Sequence, residues 1–266
     1  MSPNEILREI AATYPTLDRW RQRAAEVIRP SIDSELHRQD LEWPYVPSSQ
    51  IALAGLAAAR EHLHAVRLLV AAGELFPAAT ATLARAGLEG AAQTVWTLAP
   101  DDHAERMRRS LSVVREDYRH HRNYGLSAAD ANTVEATPTA GEQMTRLNAR
   151  LKEVTALADQ YGGATKINMT DDVLPAAVKA TAHEEEFHEH VQLRHRQMAG
   201  SAHSLLWPHF GYADTRAHSV DPVGISEMSD GGDFDRLGMD YFSAYHVASR
   251  GWRLFAQRAG REDLAS

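Results

Sequence analysis

The stretch His183 to Trp207, HEEEFHEHVQLRHRQMAGSAHSLLW, gathers five histidines, four glutamates and two arginines. Within it Arg196 and His203 stand seven residues apart, two turns of a helix. Both side chains then point the same way, about 10 Å apart along the axis. A guanidinium can hold a phosphate through two parallel hydrogen bonds, and an imidazole titrating near neutrality can move a proton. The pair suffices for metal-free RNA cleavage, in which a ribose 2′-hydroxyl attacks the adjacent phosphorus. Spacing alone is not a signature. The chain has 28 lysines and arginines, of which only Lys152, Lys166 and Lys179 are lysines, and 14 histidines. Chance then supplies about four Arg-x4-6-His matches, and three occur: Arg115–His120, Arg115–His121 and Arg196–His203. Direction distinguishes the last. Arg196 and His203 point away from the Phe187, Val191, Met198 stripe, which puts them at the surface or at a second interface.

Two other groupings carry chemistry. Glu61-x-x-His64 and Glu185-x-x-His188 have the spacing by which one helix face offers two ligands to a carboxylate-bridged di-metal bundle. Such a site also needs inward glutamates from two further helices. Glu89 could supply one, and Glu116 is a poor second. Two such pairs are unsurprising in a chain this rich in Glu and His, so no metal or other cofactor is expected. The second grouping is Arg60, His64 and Arg67 on one apolar helix with Arg85 and Glu89 on the next. Three arginines against one glutamate, if buried, favour an anion such as a phosphate, nucleotide or carboxylate. The competing expectation is an internal salt-bridge network that sets helix register.

The elements that must position these residues read as helices. A first helical segment, 4–29, breaks near Pro15 and restarts at Thr16. Pro44 and Pro47 argue that 31–49 is irregular. Gln50 to Ala72 is apolar nearly all round, the turn at 73–77 reverses the chain, and Ala78 to Leu98 returns as an antiparallel neighbour. Glu89 then lies level with Arg60 and Glu61, and Arg85 near His64. Asp102 and Glu105 form a capping box for a helix reaching Tyr124. Arg106, Arg108, Arg109, Arg115, Arg119 and Arg122 on it read as a solvated face, with a phosphate-facing strip as the lesser reading. A loop over 125–141 and a second box, Thr139 with Glu142, precede a seam of Met144, Leu147, Leu151, Val154 and Leu157. Thr170 caps one long helix running through the His-rich stretch to Trp207, stopped by Pro208. About thirty residues of loop follow, then a last helix over 239–259. No strand pattern stands out. The expectation is an all-α helical bundle of six or seven helices with a long loop before the last. It forms a single domain, with a core over about 50–207 and a C-terminal loop and helix over 208–259.

A net charge of −8 excludes a surface that binds nucleic acid by overall basicity, so any RNA contact must be local. With no cysteine there are no disulfides, thiolate nucleophiles or cysteine zinc sites. No apolar run is long enough for a membrane span and no signal peptide is legible, so a cytoplasmic protein without a membrane partner is expected.

The helix text LARAGLEGAAQTVWTL, carrying Arg85 and Glu89, and the late-helix text RQMAGSAH, carrying Arg196 and His203, resemble the HEPN superfamily (higher eukaryotes and prokaryotes nucleotide-binding) over about residues 50–207. The resemblance implies an all-helical homodimer whose two subunits bring their motifs into one cleft, acting as a metal-independent ribonuclease in a toxin or defence role. Arg196 would be the phosphate ligand, His203 the acid or base, and Glu89 a polar orienter. This chain has Gln197 where the family often has Asn, Asp or His. Many relatives of the fold are non-catalytic, so the alternative is a helical scaffold or ligand-sensing module.

Overall fold

In the computed structural model the described residues are 2–24, 26–130, 138–181, 184–209, 216–220, 226–229 and 234–265. They form an all-α bundle, and its centre is set by small residues. Helix α4 (Ser48–Ala72) and helix α5 (Pro77–Leu98) are antiparallel across a left-handed C-cap at Gly73, φ 73°. They approach so closely at Gly55 and Gly90 that a Cβ on Gly90 would lie 2.7 Å from the Gly55 carbonyl oxygen. Thr94 Oγ1 donates across the same crossing to the Ala52 carbonyl at 2.9 Å. The two helices bury Ala52, Leu56, Ala59, Leu63, Leu88, Ala91, Ala92 and Val95.

Helix α10 (Phe234–Ala259) packs on both members of this pair. Its length comes from an apolar face, Leu237, Tyr241, Ala244, Val247, Ala248 and Phe255, at helical spacing. Against α10 pack α1 (Pro3–Ala12), which is stapled at its start by a Ser2–Glu5 capping box, and α2 (Tyr14–Ala24). Trp20 stacks on Tyr245 and Trp252 of α10. The break between α1 and α2 falls at Thr13, near Pro15 as expected, but α2 restarts at Tyr14 and not at Thr16, and it ends at Ala24, short of the expected 29.

Residues 31–49 are not wholly irregular. Helix α3 (Glu35–Glu42) occupies their middle, with Ser34 as N-cap accepting a hydrogen bond from the His37 amide at 3.1 Å. The prolines at 44 and 47 limit only its C-terminal side. Glu35 on α3 ties down two buried arginines: Arg106 at 2.6 Å and Arg258 at 2.9 Å. Arg258 also reaches Asp101 at 2.6 Å.

Helix α6 (His103–Asp130) starts after Asp102 as expected. The Asp102 carboxylate accepts from the Glu105 amide at 3.1 Å, but the Glu105 carboxylate turns to Arg108 and Arg109, and only the Asp102 half of the box forms. It runs past Tyr124 and so shortens the expected loop. The solvated face expected of its arginines holds only for the later part of the helix, where Arg119 is exposed; the earlier ones are drawn into the bundle. Arg106 is buried against Glu35 and Gln39, and Arg108 and Arg109 both clasp Glu105 at 2.6 Å. Arg115 donates to the Ala164 carbonyl, Arg119 to Glu116 and Arg122 to Asn148. Helix α7 (Pro138–Asp159) begins one residue before Thr139, which is therefore not its cap. Leu147 and Val154 of its seam pack on Met107, Leu111, Val114 and Tyr118 of α6 to form a second apolar cluster.

The expected long helix from Thr170 to Trp207 is divided. Asn168, not Thr170, caps a wide π-helical turn (Met169–Val173), accepting from the Asp171 amide at 3.2 Å. Helix α8 (Leu174–Thr181) follows, with Pro175 in its first turn. Helix α9 (Glu185–Ala202) is separate and ends before Pro208: His203 is its C-cap, and Ser204 turns left-handed at φ 55°. Between α9 and α10 a short antiparallel hairpin pairs β1 (Arg216–Val220) with β2 (Ser226–Ser229), with an irregularity between Ala217 and Ser219. Among the described residues no helix is long and apolar enough to cross a membrane.

Candidate functional site

Helix α9 presents a different chemistry on each of three faces, because side chains advance about 100° per residue. Toward α5 it turns Val191, His195 and Met198, all buried. The His195 ring is 1% exposed, and its Nε2 lies 2.9 Å from Glu89 Oε1. Arg85 Nε is also 2.9 Å from that oxygen, but it is not aligned as a hydrogen bond, so the contact is ionic. Burial pushes the Glu89 carboxyl upward. The His195 hydrogen bond and the Arg85 charge outweigh that and hold it below the ordinary carboxylate range. His195 Nδ1 is buried with no hydrogen-bond partner among the described residues.

Toward α10, α9 turns Arg194, Gln197 and Ser201. Arg194 donates from Nε and Nη2 to Asp240 Oδ1 at 2.8 and 2.6 Å, and from Nη1 to Gln197 Oε1 at 2.5 Å. Arg236 Nη2 donates to Ser201 Oγ at 2.7 Å. Both members of the Arg194–Asp240 pair are about 5% exposed. This buried clamp sets α9 on α10. Sequence reading missed it, although a signal was there: Arg236 and Asp240 interrupt the otherwise apolar α10 face at a spacing of four.

Beside the clamp, toward the start of α9, lies a groove of about 710 Å³. Phe187 and His190 come from α9, Met239, Phe242, Ser243 and His246 from α10, and Ile6 and Glu9 from α1. Gly238 on its floor lets α1 approach, since a Cβ there would lie 2.9 Å from Ile6 Cγ2. The His246 ring stacks on Phe242 at 5.9 Å and meets Phe187 edge-on at 6.0 Å. Burial, and next the charge of Arg253, push the His246 pKa down; burial, and next Arg194, do the same to His190, against a smaller opposing pull from Glu186. Both imidazoles are neutral at physiological pH.

Away from the bundle, α9 shows Leu193 and Arg196, and just past its end His203, all exposed. The Arg196 guanidinium reaches Asp171 Oδ1 at 3.3 Å, but both side chains are more than half exposed. Leu205, Leu206 and Trp207 continue this surface as exposed apolar residues. Helix α9 runs through Gly200 without a break. A Cβ there would sit 2.5 Å from Pro208 Cγ and 2.9 Å from Trp207 Cζ2, so glycine lets those rings fold back on α9.

The structure brings only part of each expected site together. Arg196 and His203 share the outward side, whereas Glu89 serves the inward face with His195 and does not orient that pair. The Arg60, His64, Arg67 and Arg85 cluster is more nearly balanced than its sequence suggested. Arg67 pairs with Asp18 at 2.6 Å and lies over the Tyr14 ring, while Arg85 faces Glu89. Asp18 lies 49 residues before Arg67, a partner that only the tertiary fold supplies. His64, its pKa pushed down first by burial and then by Arg67, adds no charge at neutral pH. The metal alternative fails on geometry. Glu61 and Glu185 are exposed on separate helices, and among the described residues no three His, Asp or Glu side chains converge as a ligand set with His64 or His188. In comparisons with protein families, curated proteins and solved structures, nothing matching this chain was found.

Proposed function

We propose that the chain is an RNA-handling protein, and that the exposed end of α9 makes it a metal-independent endoribonuclease working as a homodimer. One observation carries this reading: Arg196 and His203 are both delivered to solvent beside Leu193, Leu205, Leu206 and Trp207, rather than into the core. An exposed apolar patch of this kind marks an association surface. Pairing two copies through it would set two Arg–His pairs along one cleft.

In that cleft Arg196 holds a non-bridging phosphate oxygen through its guanidinium, releasing Asp171. His203 takes the proton of the ribose 2′-hydroxyl. The freed oxygen attacks phosphorus, and the bond to the 5′ oxygen breaks. That oxygen leaves with a proton from the same histidine of a second copy. The products are a 2′,3′-cyclic phosphate and a 5′-hydroxyl. Such a nuclease would fit a toxin or defence role in the cytoplasm.

Purified protein should cleave RNA in EDTA and leave cyclic phosphate ends. Arg196→Ala and His203→Ala should each abolish cleavage with the helical circular dichroism unchanged. Undiminished cleavage by the double variant would refute the reading, and so would an inert wild-type protein that stays monomeric.

A further inference from the structure

The groove between α1, α9 and α10 is independent of the outward Arg–His pair and opens on a different face of α9. Its size falls within the range of small-molecule sites, roughly 300–1,000 Å³. Its walls are mainly rings and aliphatic groups: Phe187, Phe242, His246, Ile6 and Met239. The buried Arg194–Asp240 clamp fixes α9 on α10 beside it, so Phe187, His246 and Phe242, with ring centroids 5.9–6.0 Å apart, stand as one contiguous aromatic wall before any ligand arrives. Such a wall offers its open side to another flat ring by stacking or edge contact.

The polar groups narrow the class further. Ser243 Oγ spends its proton on the Met239 carbonyl at 2.7 Å and so faces a ligand only as an acceptor. The imidazoles of His190 and His246 are neutral and offer a ligand one donor and one acceptor each. Glu9 and Asp235 stand in the lining as carboxylates, while Glu186 lies near His190. Of the neighbouring arginines, Arg194 is committed to Asp240, Arg236 is turned to Ser201 and Asp240, and Arg253 acts on the site through its field at His246. Among the described residues, a phosphate or carboxylate would find no lysine or arginine in the lining.

We propose that this groove is a binding site for a small, flat aromatic or heteroaromatic molecule that is uncharged or cationic, held by Phe187, Phe242 and His246 with its polar edge toward His190 and Glu9. The ligand is recognised by ring stacking and acceptors, not as a phosphate.

One acridine ring carrying either charge tests both halves of the proposal. 9-Aminoacridine, a cation, and acridine-9-carboxylate, an anion, are each titrated into the full chain at about pH 7.5, read by fluorescence, with one-to-one saturation as the criterion. The amino compound should bind saturably, and the carboxylate at least about tenfold more weakly. His246→Ala, with its helical circular dichroism and melting temperature checked against wild type, should weaken the amino compound about tenfold by removing a stacking wall. Glu9→Gln should weaken the cation and leave an uncharged acridine unaffected. Arg196→Ala, which stands outside the groove, should bind like wild type even if it loses RNA cleavage. Non-saturable, salt-sensitive uptake that His246→Ala does not change would overturn the proposal. Equal or tighter binding of the carboxylate would do the same.

Discussion

Arg194 and Arg196 stand two residues apart on α9, and each faces an aspartate, yet the two pairs have little else in common. Arg194 meets Asp240 through two hydrogen bonds at 2.8 and 2.6 Å, with both side chains almost wholly buried. Arg196 meets Asp171 through one contact at 3.3 Å, with both side chains mostly in water. Removing one member of a buried pair strands the other where water cannot reach it, whereas an exposed pair exchanges one weak contact for solvation. Burial therefore assigns Arg194 to the scaffold and leaves Arg196 free to exchange Asp171 for a ligand. Two residues of helical rotation separate the two roles.

The largest expected effect tests the scaffold half. Arg194→Met should destabilise the fold by about 3–5 kcal/mol, because the buried Asp240 carboxylate loses both hydrogen bonds from Arg194, which the Arg236 contact at 3.9 Å does not replace. With roughly 2–4 °C lost per kcal/mol in a chain of this size, calorimetry should show a melting temperature lower by several degrees. Adding Asp240→Leu to that variant should recover part of the loss. A single variant as stable as wild type would mean that water reaches the pair.

Glu89→Gln should cost less, about 1–3 kcal/mol. The amide keeps an oxygen for His195 but removes the charge facing Arg85. Denaturant unfolding at neutral pH measures this. A loss as large as that of Arg194→Met would make Arg85 a charge that depends wholly on Glu89.

Between these extremes lies Glu105, whose hydrogen bonds to Arg108, outweighing its partial burial, and to Arg109 hold its carboxyl down at about 2. A carboxyl bound in its ionised form stabilises the fold above its unfolded pKa, and that stability is lost as it protonates. The contribution of Glu105 should therefore be complete above the ordinary value of 4.5 and disappear as pH falls toward about 2. Stability measured across that window should have a smaller slope in Glu105→Gln. An identical slope would show that the clasp is solvated away in solution.

The smallest effect on stability, and the sharpest test of the comparison, is Arg196→Ala. It should change stability by no more than about 0.5 kcal/mol, while removing the RNA cleavage proposed for this surface. A large destabilisation would move Arg196 into the scaffold and end the contrast with Arg194.

Local periodicity and punctuation made much of the fold legible. The α4–turn–α5 hairpin was readable because Gly73 stops a continuously apolar helix and Pro77 starts the next. The seam of α7 and the start of α6 after Asp102 were readable for the same reason, since each signal lies within one turn of the chain. Helix α3 was obscured by Pro44 and Pro47, which limit only its far end, while its Ser34 cap was overlooked. The division of α8 from α9 was not legible either, because Thr170 and Pro175 fit the start of a longer helix equally well.

By itself the sequence determined the all-α class, the apolar faces that pack, and the outward direction of Arg196 and His203, all of which follow from helical spacing. The tertiary structure decided which charges cancel. Asp18 meets Arg67 across 49 residues, Asp240 meets Arg194 across 46, and Glu89 meets His195 across 106. Helical spacing says which way a side chain points, but a partner so far along the chain is chosen by how the helices pack. The groove has the same origin: its residues lie on α1, α9 and α10, and Gly238 lets α1 come close enough to form its third wall.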